Sequence, residues 1–173
     1  MADIYDRVEG ELSSVERLIN AIPGWSGYQQ RQKRRQADKL LRETLADKLN
    51  GQRRRMDSAQ KKLLSRGRLD LVGTMESAVT QLKTFTDRVR FASYGYAGLF
   101  DAVKIREAEL KQLYDFDAAL FDYVERLDTA NDHLHRAIAE EEGLEETIDV
   151  IQEIVQEANS AFDRRQRLVL EAE

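Results

Sequence analysis

The sequence predicts an all-α fold: an antiparallel up-and-down bundle of four to five long helices, elongated and coiled-coil-like, in one domain spanning residues 1–173. Three observations carry that prediction. Apolar residues recur at steps of three and four through most of the chain, the spacing of a helix face. The chain holds a single proline, and charged residues make up 34% of it, both of which favour long helices over turns. No alternating run of Val, Ile or Thr competes as a strand. At 42%, apolar residues suffice for a sizeable core and argue against wholesale disorder.

The first predicted helix runs from Asp3 to Ala21. Ile4, Val8, Leu12, Val15, Ile19 and Ile22 form its apolar face, and Asp3 is a candidate N-cap. Pro23-Gly24 stops it, because proline cannot extend a helix. The elbow from Ile22 to Tyr28 contains the only Trp and the only Pro. A long basic helix follows over residues 28–68, and Ser26 is a candidate cap for it. This stretch holds 14 of the 27 Lys and Arg residues against four acids, a local charge of +10 in a chain of −5. Leu41, Leu45, Leu49, Met56, Ala59 and Leu63 form its stripe, with Gln52 completing the series.

A turn is predicted at Ser65-Arg66-Gly67-Arg68. The next stripe, Val72, Met75, Val79, Leu82 and Val89 with Phe85 beside it, is two residues out of register, which a straight helix cannot absorb. A second aromatic and glycine elbow runs from Tyr94 to Phe100. In an up-and-down bundle both elbows lie at one end. Trp25, Tyr28, Tyr94, Tyr96 and Phe100 are therefore expected to meet there, as an apolar cap or, alternatively, as the lining of a pocket.

The last stripe is read as Leu113, Phe116, Leu120, Tyr123, Leu127, Ala130, Leu134 and Ala137. It continues through Leu144, Ile148, Ile151, Val155, Ala158, Phe162 and Val169. Two topologies follow. Gly143 is a turn between two helices, or one helix runs from about residue 104 to 170, about 100 Å at ~1.5 Å per residue. Glu140, Glu141 and Glu142 favour the continuous helix, since acids sit badly at a helix C-terminus. With a turn at Gly143, these acids and Glu145 and Glu146 come to the end of the bundle that carries Lys61, Lys62, Arg66 and Arg68. Helix 28–68 is then expected beside the acidic C-terminal half, with charges flanking an apolar seam.

The functional expectations follow from charge. Residues 29–36 contain no apolar side chain, the signature of a segment that is solvated or docked on something charged. Arg31, Lys33, Arg34, Arg35, Lys39, Arg42, Arg53, Arg54 and Arg55 are the candidate polyanion or partner-binding residues. Asp128, Asp132, His133 and His135 are close in sequence, but Leu134 takes the core position, so Asp132 and His135 are expected to point outward. The chain has no Glu-x-x-His and no second His cluster. No cysteine is present, and neither a phosphate loop nor a catalytic triad is recognisable. The start, Met1 to Asp6, is acidic with no leader-like apolar run. No apolar window approaches the roughly 18 residues a membrane span needs. The expectation is a cytoplasmic, non-catalytic protein with no cofactor, metal or small-molecule substrate. Its expected role is a protein-interaction or scaffold module, with self-association as one form of that role. The alternative is peripheral binding of an anionic membrane surface, or less readily nucleic acid, through helix 28–68.

Overall fold

A computed structural model describes residues 14–92 and 98–171, and among these the regular structure is entirely helical. Residues 14–21 form α1. The long helices are α2 (Arg34–Ser65), α3 (Leu69–Arg90), α4 (Glu107–Glu140) and α5 (Leu144–Leu170). Single 3-10 turns at Arg31–Lys33 and Leu99–Asp101 introduce α2 and lead toward α4. The earlier part of the first predicted helix, with Asp3, Ile4, Val8 and Leu12, lies outside the described residues, as do Tyr94 and Tyr96. The predicted all-α bundle is the observed architecture.

The turns follow from local chemistry. Gly67, at φ +75°, ends α2 in a Schellman motif. Its N–H donates to the Leu64 carbonyl at 3.0 Å, and that of Arg68 donates to Leu63 at 3.0 Å. Between α4 and α5 the chain also turns, so the continuous 100 Å helix is not formed. Glu141 takes the left-handed conformation at φ 57°, Glu142 N–H donates back to Ala137, and Gly143 follows at φ 70°. Two left-handed residues within three positions, Glu141 and Gly143, cannot be threaded through an α-helix. The acids that argued against a helix end here are partly offset, since Glu141 faces Arg66 at 3.5 Å. Glu145 and Glu146 lie in the first turn of α5, where the helix dipole favours them.

α2–α3 and α4–α5 are thus two antiparallel hairpins. They pack side by side, α2 against α4 and α3 against α5. Tyr28 stacks on Tyr114 near one end, Arg55 pairs with Asp128 further along, and Arg66 meets Glu141 at the other end. α2 and α4 are therefore parallel neighbours. α2 and α5 stand at diagonal corners, as do α3 and α4. The connection after α3 must consequently cross the elbow end of the bundle. α1 lies on α4, with Leu18 and Ile22 buried and Ser14 Oγ donating to Asp115 Oδ1 at 2.9 Å.

One core runs the length of the bundle, and each helix feeds it at alternating steps of three and four. Part of the α4 stripe differs from the sequence reading, although Ala130 and Ala137 are buried as read. The interior positions are Leu113, Asp117, Leu120, Val124, Leu127, Asn131, Leu134 and Ile138, whereas Phe116 and Tyr123 are only half-buried. On α3, Leu71 is buried and Val72 half-buried. Both shifts arise because helices with two packed neighbours bury more than one stripe.

Candidate functional site

At the elbow end the rings of Trp25, Tyr28, Tyr114 and Phe100 close over the core. Tyr28 stacks on Tyr114 with centroids 5.6 Å apart and lies 5.6 Å from Phe100, while Trp25 meets Tyr28 edge-on at 5.3 Å. Trp25 Nε1 donates to the Ala37 carbonyl at 3.0 Å, and Tyr114 Oη accepts from the Tyr28 backbone N–H at 3.1 Å. Trp25, Tyr28 and Phe100 thus pack against one another where the described parts of the two elbows meet.

Beneath the cap lies an arrangement that periodicity alone did not reveal. Arg165 and Asp117 are fully buried, Asp38 is 1% exposed and Arg42 8%. Arg165 Nε donates to Asp117 Oδ1, and its Nη2 donates to Asp38 Oδ1 at 2.7 Å and Tyr28 Oη at 3.3 Å. Tyr28 Oη donates to Asp117 Oδ2 at 2.6 Å. Arg42 Nε reaches Asp38 Oδ2 at 2.8 Å, and its Nη1 caps the carbonyls of Val89 and Arg90 at 3.3 and 2.9 Å. Two guanidiniums and two carboxylates cancel, and each carboxylate has two donors. A buried ion pair persists only when its remaining lone pairs are satisfied in this way. Burial, with Asp117 beside it, holds the Tyr28 phenol well above its ordinary pKa. Burial likewise raises Asp117, against the opposing pull of Arg165. The network joins the first elbow, α2, α4 and α5, and the Arg42 caps add the end of α3.

The candidate basic residues separate into three groups. Arg34 and Arg42 are not available to a polyanion. Arg34 is 6% exposed and donates to the carbonyls of Tyr28 at 2.8 Å and Ala102 at 2.7 Å. Residues 29–36 are therefore not solvated all round. One arginine turns inward because backbone oxygens at the crossing need a donor. Arg31, Arg35, Lys39, Arg53 and Arg55 are engaged nearer the surface. Arg35 pairs with Asp101, whose carboxyl it holds below the ordinary range, and Arg31 Nη2 donates to the Asp101 carbonyl at 3.4 Å. Lys39 faces Glu43 at 3.9 Å and Arg53 pairs with Asp57 at 3.0 Å. Arg55 bridges α2 to Asp128 at 2.6 Å and to Asp132. Lys33 and Arg54 are exposed and form no ion pair among the described residues.

His135 does not point outward as expected. It is half-buried against α2, with Nε2 facing the Arg55 carbonyl at 3.2 Å and Nδ1 facing Lys62 Nζ at 3.2 Å. Nε2 therefore carries the proton and Nδ1 accepts. Burial lowers its pKa from the ordinary value. Asp132 is exposed but turned to Arg55. Among the described residues no group of three or more His, Asp or Glu is placed to hold a metal ion, and no helix is long and apolar enough to cross a membrane.

Surface clefts lie away from the cap. One of about 340 Å³ separates α1 from α4 beside Leu18, Lys48 and Phe121. Another of about 480 Å³ runs along the outer face of α4–α5, floored by Ala130, Val150 and Ile154 and edged by Asp122 and Glu125. No family model, curated protein or solved structure matches this chain.

Proposed function

We propose that this is a non-catalytic helical-bundle protein acting as a protein-interaction or scaffold module, able to self-associate. One observation carries the reading. Residues 34–90 hold fifteen Lys and Arg against seven Asp and Glu, and residues 107–170 hold six against seventeen. The hairpins therefore have net charges of +8 and −11. Neutralisation at their shared seam leaves the outward face of each with its own sign, and oppositely charged faces steer and orient partners. The buried ions support this reading because they bond one another across the helices.

A second reading, binding of an anionic membrane or nucleic acid through helix 28–68, keeps Lys33 and Arg54 but loses Arg34 and Arg42. One experiment separates the two. The full chain is crosslinked at increasing concentration, alone and with anionic vesicles or duplex DNA, at low and high salt. Protein–protein crosslinks on the outward faces are expected. A strict monomer that crosslinks to no protein, yet co-sediments with vesicles or DNA at low salt, refutes the scaffold reading.

A further inference from the structure

We infer that the outward faces of α2 and α5 are complementary docking surfaces through which one copy of this chain binds another, head to tail. The inference rests on the interaction role above and names its partner.

On α2, Arg54 and Lys61 lie seven residues apart, on one face. Both are exposed and form no ion pair among the described residues. Leu64, one turn beyond Lys61, is 50% exposed. On α5, Glu146 and Glu153 show the same seven-residue spacing and the same lack of an ion pair. Val150, between them on that face, is 46% exposed. Each surface thus joins an exposed aliphatic side chain to two like charges, and the signs are opposite. Arg126, across the α4–α5 groove, is already engaged by Glu157 at 2.6 Å.

The topology makes a second copy the fitting occupant. α2 and α5 occupy diagonal corners, so their outward faces look in opposite directions and cannot meet within one molecule. Both stripes lie in the half of the bundle nearest the turns at Gly67 and Gly143, so one copy's α2 meets another's α5 at the same height. A symmetric contact of α2 on α2, or α5 on α5, would oppose like charges. Only the head-to-tail contact pairs them, and such a contact leaves one face free at each end. The expected assembly is an open chain of copies.

The test uses the full chain in sedimentation velocity over a concentration series. Wild type should associate at about 0.1 M salt and at least about tenfold more weakly at about 1 M, where the Debye length falls from about 10 to about 3 Å. Arg54→Glu/Lys61→Glu and Glu146→Lys/Glu153→Lys should each be monomeric, with unchanged circular dichroism because every position is exposed. Mixing the two should restore association, since each contact then joins an acidic face to a basic one. Association of either variant at the wild-type level, or failure of the mixture, overturns the inference. So does a wild-type monomer at low salt. If that monomer still binds a basic helical peptide across Glu146 and Glu153, the interaction role stands and only self-docking is lost.

Discussion

The elbow end and the turn end of this bundle use the same ion-pairing residues in opposite surroundings. Arg165, Asp117, Asp38 and Arg42 are sealed under four aromatic rings, with every donor aimed at an oxygen. Arg66 and Glu141, at the far end, meet in water at 3.5 Å with side chains 42% and 65% exposed. An ion pair in water is worth little, because solvent screens it and two long side chains must be held still. The buried network is different in kind. Its formation need not stabilise the fold, but removing one member leaves a charge with neither water nor partner. It also makes packing specific, since α2 and α5 must be diagonal for Arg165 to lie between Asp38 and Asp117.

The largest test of that contrast is to remove one ion at each end. Arg165→Ala should cost about 3–5 kcal/mol in urea unfolding, and Arg66→Ala under about 1 kcal/mol. Equal losses would erase the distinction. Arg165→Met with Asp117→Leu should recover most of the loss, because Asp38 keeps Arg42 and no charge is stranded.

Glycines sharpen the comparison at intermediate scale. A Cβ on Gly98 would lie 2.5 Å from the Val169 carbonyl oxygen, so Gly98→Ala must push the crossing segment off the end of α5. The expected cost is about 1–3 kcal/mol. Gly67 at the turn end faces open space, and Gly67→Ala should cost about 1–2 kcal/mol from its positive φ alone. Glu141→Gly, relieving the same strain, should stabilise by up to about 1 kcal/mol. A Gly98→Ala protein as stable as wild type would mean that the crossing is not held against α5.

The smallest effect belongs to His135, where α2 meets α4. Its folded pKa lies below the ordinary 6.5, so the unfolded chain takes up the proton first. Stability is full above about 6.5 and falls as pH drops from there toward the folded value. His135→Gln should flatten that slope in unfolding curves taken near pH 7 and pH 5. An unchanged slope would assign it to the carboxylates.

The four long helices, the turn at Gly67 and the contact of Tyr28 with Phe100 were legible in the sequence, because glycine, proline and apolar period report local backbone directly. Leu41, Leu45, Leu49, Met56, Ala59 and Leu63 are all buried as read. The buried network was not legible, although its signal was present. Arg165 fills the interior step between Phe162 and Val169, and Asp117 and Asn131 fill interior steps of α4. Counting only apolar residues passes over such positions and shifts the α4 stripe by one. Arg34 left no signal, since its acceptors are backbone carbonyls. Gly143 was undecided because heptad phase continues across it. The left-handed residue before it, Glu141, is of a type that gives no warning.

The diagonal crossing also bears on how the chain is made. Asp38 and Arg165 are 127 positions apart, and Tyr28 and Asp117 are 89 apart. Synthesis from the N-terminus therefore releases the basic hairpin long before its counterpart exists. Until then Asp38 has Arg42, four residues away, but not Arg165 to answer it. α5 carries the ion that completes the set, so the network closes only once α5 has been made. A truncated product would keep its local hairpin while exposing Asp38, Tyr28 and the underside of the aromatic cap. Such a product presents apolar surface that is prone to aggregate, and the arrival of Arg165 is what closes it.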